Sequence, residues 1–240
     1  MDKISERSGA RPHRARWLAL SPNDALAVLL IIVGLVATGA LTFFVYSNPY
    51  LPLDASILHS VQSYHPAWYD ALMRAVSDPG YPPQVYFIVV WILVVLFAFG
   101  LKWEAISHAF ATVGIGILGL VFKIPIDRPR PDPHQFTVWN PNLQGGRMSY
   151  PAGHVESYVA IFGFLIFILI VIGKPSWLRT LEILFFAFLI VAVGVSRVYS
   201  GEHWFTDVVA GYLIGLVMLV ATILFYRWGR NRFFKEPVEK

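Results

Sequence analysis

Cysteine is absent from the 240 residues. That excludes disulfides and thiolate metal sites, and it leaves the redox compartment open. Charge is scarce as well, at 14% of residues against about 25% in a soluble domain. No internal repeat or low-complexity tract stands out. What the chain has in quantity is hydrophobic side chains, 56% of the total, arranged in blocks rather than in alternation. The pattern is that of an all-α, polytopic integral membrane protein. The net charge of +4 comes from 19 basic and 15 acidic residues. Its excess sits at the two ends, which argues for membrane orientation and against nucleic-acid binding.

Six transmembrane helices are expected, at 24–46, 82–100, 105–122, 155–173, 178–196 and 207–226. Each is long enough to cross about 30 Å of hydrocarbon at about 1.5 Å per residue. Arg7, Arg11, Arg14 and Arg16 precede the first; Lys102, Lys174 and Arg179 fall in short loops; Arg227, Arg230, Arg232 and Lys235 follow the last. All lie on one side, which the positive-inside rule makes cytoplasmic, so both termini are expected there. The chain then divides into a basic N-terminal segment (1–23), a six-span domain (24–226) and a basic tail (227–240). The first span exceeds a usual signal-peptide core, and no small-residue cleavage site follows, so it is expected to be retained. The first loop on the other side, 47–81, carries Asp54, Asp70 and Asp78 against one arginine, Arg74. Its apolar spacing suggests short interfacial helices. Trp103, Trp139, Trp177, Trp204 and Trp228 fall near span ends and read as interface belts.

Counting parity along these spans brings three polar islands to the extracytoplasmic face. The first runs from Lys123 to Pro131 and holds Asp127, Arg128 and Arg130 among three prolines. Proline disfavours a continuing helix, so the chain is expected to leave the third span extended. Lysine and arginine there are anion ligands or simply a solvated basic loop; positive charge on the outer side, against the orientation rule, favours ligands. The second island is Tyr150-Pro151-Ala152-Gly153-His154. Glycine at a helix start exposes backbone N–H groups to an anion, and a histidine there can give up a proton; a turn with an interfacial histidine is the plainer alternative. The third runs from Ser196 to Asp207 and contains Arg197, Glu202 and His203. A histidine four residues before an aspartate shares one helix face with it, so the carboxylate can hold the imidazole. Glu202, Asp127 and Arg128 are equally explained by local ion pairing. Loop 132–150, with Asn140, Asn142, Gln144 and Arg147, either touches a head group or lids the site, or is plain surface.

Taken together, Lys123 with Arg130-Pro131, Pro151-Ala152-Gly153-His154, and Ser196-Arg197 with His203 and Asp207 resemble the tripartite signature of type 2 phosphatidic acid phosphatases. That membrane lipid phosphate phosphatase family shares its site with vanadium haloperoxidases and bacterial acid phosphatases. The resemblance is specific over 105–226 and topological elsewhere. One position departs from it: the second part usually reads Pro-Ser-Gly-His, and Ala152 stands where the serine hydroxyl would bind phosphate. Another donor such as Ser149 or Tyr150 would compensate, or the site is weakened or inactivated.

The resemblance implies His203 as nucleophile forming a phosphohistidine, Asp207 as its orienting partner, and His154 as acid and then base. It implies Lys123, Arg130, Arg197 and the N–H of Gly153 as phosphate ligands, alongside position 152. No metal and no cofactor are expected, because three fixed cations can carry the charge that Mg²⁺ carries elsewhere. The substrate implied is an amphiphilic lipid phosphate met at the outer face of the cell membrane. Undecaprenyl pyrophosphate ranks first, with phosphatidate, phosphatidylglycerol phosphate and related lipids behind it. A lipid-linked phosphotransferase, or a low-activity lipid-binding or transport homologue, are the alternatives.

Overall fold

A computed structural model describes residues 22–233, and every regular element in that range is helical. The eight α-helices are α1 (Pro22–Ser47), α2 (Pro52–Gln62), α3 (Ala67–Ser77), α4 (Gln84–Ala98), α5 (Lys102–Ile126), α6 (Gly153–Ile172), α7 (Trp177–Tyr199) and α8 (Phe205–Phe233). Arg7, Arg11, Arg14, Arg16 and Lys235 lie outside the described residues.

Five of these helices, α1 and α5 to α8, are long and apolar enough to cross a membrane. The second expected span differs. It forms α4, only 15 residues, or about 22 Å at 1.5 Å per residue. Together with α3 and the turn after it, α4 makes a pair bent by 64°. Prolines at 79, 82 and 83 interrupt the backbone hydrogen bonding there, so the apolar run cannot extend toward its N-terminus as one straight rod. The loop 47–81 does contain two short helices, α2 and α3.

The bundle is inverted relative to a water-soluble one. Phe43, Phe87, Trp91 and Phe99 are exposed, whereas Asp54, Arg128, Arg197 and Asp207 are buried. Lipid solvates the first group; the second must find partners inside the protein. α6 lies at the centre, against α5, α7 and α8, while α1 packs on α8 and α4 on α5. Asp24 and Arg227 pair at 2.8 Å, tying the start of α1 to the far end of α8. α8 outruns its apolar stretch and continues through Arg227, Arg230 and Arg232 to Phe233. Cations in the last turn of a helix are favoured by its dipole.

Two belt assignments are corrected by burial. Trp204 is buried and its Nε1 donates to the Pro129 carbonyl at 2.9 Å; Trp103 is likewise buried and donates to the Tyr226 carbonyl at 2.9 Å. An indole whose N–H finds a backbone acceptor packs inside as readily as at an interface.

Candidate active site

The ends of α5 and α7 and the starts of α6 and α8 meet at one end of the bundle. α5 continues beyond the expected stop. It passes through Pro125 to Ile126 and terminates at Asp127, whose φ of 41° is left-handed. A proline in the last turn removes one donor where the helix is ending anyway. Between α7 and α8 the chain reverses through Gly201, φ 69°. A Cβ at that position would lie 2.0 Å from the Thr137 carbonyl oxygen, so only glycine fits. This turn delivers His203 just ahead of α8, in contrast to the expected placement of His203 and Asp207 on one helix face.

His203 is buried, and its Nδ1 lies 2.7 Å from the Ser149 carbonyl oxygen but 3.7 Å from Asp207 Oδ2. A carbonyl only accepts, so Nδ1 carries the proton and Nε2 keeps the lone pair. That Nε2 lies 3.5 Å from Arg130 Nη1. Burial, with the charges of Arg130 and Lys123 adding to it, lowers the His203 pKa to about 3. The ring is therefore neutral at physiological pH.

Asp207 is held by other groups. It accepts from Arg128 Nη1 at 2.6 Å, from Ser149 Oγ at 2.5 Å and from the Trp204 N–H at 2.9 Å. Arg128 in turn donates to Asp54 of α2 at 2.7 Å and to the Thr206 hydroxyl at 2.7 Å. Its Nε donates to the Pro49 carbonyl at 3.0 Å, so each of its three nitrogens has a partner within the protein and Arg128 has a structural place. Ser149, by holding Nδ1 with its carbonyl and Asp207 with its hydroxyl, links the two residues that were expected to touch directly.

Three other cations, Lys123, Arg130 and Arg197, come from the end of α5, the loop after it and the end of α7. Lys123 Nζ donates to the Pro151 carbonyl at 2.5 Å. Arg130 Nη1 donates to the Glu202 carbonyl at 2.5 Å, and its Nε is buried with no partner among the described residues. Arg197 uses Nη2 for Glu202 at 2.8 Å, Tyr81 at 2.9 Å and Ser200 at 2.7 Å. Its Nε and Nη1 are buried with no partner among the described residues, as is His154 Nε2. Buried polar atoms are nearly always satisfied. Orphaned donors on two guanidiniums and an unpartnered imidazole nitrogen, at the same end of the bundle as His203, form a place for an anion with several oxygens.

Gly153 opens α6, where the first N–H groups of a helix have no acceptor of their own. His154 follows, its ring packed edge-on against Tyr81 with centroids 4.6 Å apart. Ala152 is fully buried, and its N–H donates to the Asp207 carbonyl at 3.0 Å. Neither expected substitute for the missing hydroxyl is free. Ser149 Oγ is bound to Asp207, and Tyr150 shares a 2.8 Å hydrogen bond with Thr42. Of loop 132–150, Gly146 accepts the Arg130 N–H at 3.0 Å, and Arg147 pairs with Asp127 on the surface.

Asp54 and Tyr81 were not singled out as site residues from sequence, since each is unremarkable in its own segment; Ser149 was expected as a phosphate donor and instead links His203 to Asp207. A weak signal existed for Asp54, as part of the acidic excess in the first loop.

The family comparison bears on this geometry. The model of the PAP2 superfamily matches residues 104–232, more than half of the chain and all of the residues just described except Thr42, Pro49, Asp54 and Tyr81. The chain belongs to the PAP2 superfamily. It is thereby an enzyme of a membrane lipid phosphatase family. Among curated proteins it is 23% identical to phosphatidylglycerophosphatase B of Bacillus subtilis (strain 168) over 175 residues, covering 72% of this chain and 83% of that one. A shorter match, 39% over 80 residues and about a third of each chain, is to the bacitracin transport permease protein BcrC of Bacillus licheniformis. Among solved structures, a transmembrane PAP2-type phosphatidylglycerolphosphate phosphatase from Bacillus subtilis superposes with a TM-score of 0.68 at 22% identity, over 83% of this chain and 94% of that chain. LpxE of Aquifex aeolicus gives 0.56 at 20% identity, over 74% and 98%. At those identities the two structures establish the PAP2 fold.

Proposed function

We propose that this PAP2 protein removes a terminal phosphate from a lipid phosphate or pyrophosphate through a phosphohistidine on His203, without a metal ion. One observation carries the proposal. The Ser149 carbonyl accepts a hydrogen bond from Nδ1–H of His203, which leaves the Nε2 lone pair facing Arg130, and Arg130 and Arg197 hold buried guanidinium nitrogens with no partner among the described residues.

In the first step the Nε2 lone pair attacks phosphorus while the bond to the leaving oxygen breaks. His154, as general acid, passes a proton to that oxygen. Lys123, Arg130 and Arg197, with the Gly153 N–H, hold the non-bridging oxygens as charge builds on them. In the second step His154 takes a proton from water, whose oxygen attacks phosphorus, and the P–N bond returns its electrons to His203. Asp207 stabilises the positive imidazole between the two steps, from 3.7 Å and through Ser149.

The site is read as extracytoplasmic from the basic residues at the opposite ends of the helices, including Lys102, Arg179 and Arg227. An outward site suits an undecaprenyl pyrophosphate substrate, the first choice. Phosphatidylglycerol phosphate is the second, favoured by the relative that matches most of the chain. A lipid-linked phosphotransferase would use the same phosphohistidine with an alcohol in place of water. Phosphate release from a panel of these lipids by protein purified in detergent, with and without chelator, chooses among them. His203→Ala should abolish turnover and the acid-labile, base-stable phosphoenzyme; a phosphoenzyme that persists overturns the assignment. Label from lipid pyrophosphate that ends on an added acceptor rather than as free phosphate identifies a transferase.

A further inference from the structure

The family match begins at residue 104, yet two residues well before it stand against the site. Gly80 and Tyr81 belong to the turn that joins α3 to α4. A Cβ at Gly80 would lie 2.2 Å from Cδ2 and 2.9 Å from Nε2 of His154, so the imidazole rests directly on the glycine backbone. The Tyr81 ring meets the same imidazole edge to face at 4.6 Å. Its hydroxyl donates to Glu202 and accepts from Arg197 Nη2 at 2.9 Å, and the Arg197 guanidinium lies 5.1 Å from the ring. Burial pushes the Tyr81 phenol up to about 12, so it remains a donor to Glu202 at neutral pH.

We infer that Gly80 and Tyr81 are positioning residues for catalysis, forming the seat that aims His154 at the leaving-group oxygen while Tyr81 braces Arg197. His154 Nε2 makes no hydrogen bond to the protein among the described residues. Its aim therefore rests on contact with Gly80 and the Tyr81 ring rather than on a polar anchor. A side chain in this position loses its direction if either surface changes, even with both histidines in place. The inference rests on His154 being the proton donor.

The leaving group provides the test. Dodecyl phosphate needs a proton on its departing oxygen; p-nitrophenyl phosphate departs as a stable anion and needs little help. In the purified full chain, Gly80→Ala and Tyr81→Leu should lower kcat/KM for dodecyl phosphate by about tenfold or more, but for p-nitrophenyl phosphate by less than about threefold. Tyr81→Phe keeps the ring and should leave the ratio between the two substrates near the unaltered value, with KM raised on both through Arg197. Equal losses on both substrates in Gly80→Ala and Tyr81→Leu, or no loss, would overturn the seat. So would a Tyr81→Phe ratio as skewed as that of Tyr81→Leu. His154→Ala run alongside separates the two claims. If it spares dodecyl phosphate, the proton-donor reading itself fails; if it is selective while the Gly80 and Tyr81 variants are not, only the seat fails.

Discussion

Arg128 grips Asp207, Nη1 to Oδ1 at 2.6 Å, with both side chains buried. The carboxylate nearest the proposed nucleophile is thus anchored by a guanidinium from the loop after α5. The opposite branch of that guanidinium reaches Asp54 of α2 at 2.7 Å. A buried ion triad is costly to assemble, but removing one member leaves an unpaired charge and costs about 3–5 kcal/mol.

Arg128→Ala should therefore lower thermal stability in detergent and also activity, although Arg128 has no nitrogen to offer a phosphate. Asp54→Ala should lower stability too. The double variant should lose less than the two single losses added together, because each removal strands the same partners. Thermal midpoints of the four proteins check this; strictly additive losses would show that the three groups do not act as a unit.

The low pKa of His203 predicts the shape of the pH profile. The folded value, about 3, lies below the unfolded value of about 6.5. The imidazole is thus already deprotonated in the native protein throughout the pH 5–8 range. An acid limb in kcat/KM near 6.5 should not belong to His203, and nitrogen NMR should find His203 neutral, protonated on Nδ1, at pH 5. The same displacement makes stability fall as pH drops from about 6.5 toward 3, where the unfolded chain takes up a proton that the folded chain refuses. Observation of a doubly protonated His203 ring at pH 5 contradicts this.

Ala152 sits at the N-cap of α6, where no side-chain oxygen meets the first N–H groups. Ala152→Ser should raise turnover at least several-fold by adding a donor near the phosphate, since neither Ser149 nor Tyr150 supplies one. It should also raise the thermal midpoint, because an N-cap hydroxyl is worth about 0.5–2 kcal/mol. Side-by-side phosphate release and unfolding measurements test both. A gain in stability without a gain in rate would mean that the hydroxyl caps the helix and never reaches substrate.

Much of this architecture was legible in the chain. Long apolar runs become helices because lipid leaves the backbone no other partner, so five expected spans appear with ends displaced by a few residues. The 82–100 run was legible as apolar but not as short and bent, since proline geometry at 79–83 acts together with the packing of α3 on α7. Lys123, Arg130, His154, Arg197, His203 and Asp207 could be gathered at one end by parity of the spans alone. The partner of each could not. His203 was expected on Asp207; it lies 3.7 Å from that carboxylate and gives its Nδ1 hydrogen bond to the Ser149 carbonyl. Arg128 was open to a local ion pair and instead joins Asp54 and Asp207, which lie 74 and 79 residues away in the chain.

Hydropathy and residue spacing, which act within a helix turn or across one membrane span, determined by themselves the membrane class, the long helices and the gathering of Lys123, Arg130, His154, Arg197, His203 and Asp207 at one end of them. Tertiary structure alone decided which buried charges neutralise one another, which nitrogen of His203 is free, and that Tyr81 stands beside His154. Those outcomes depend on contacts of a few ångströms between segments far apart in sequence, and such contacts exist only once the helices have packed.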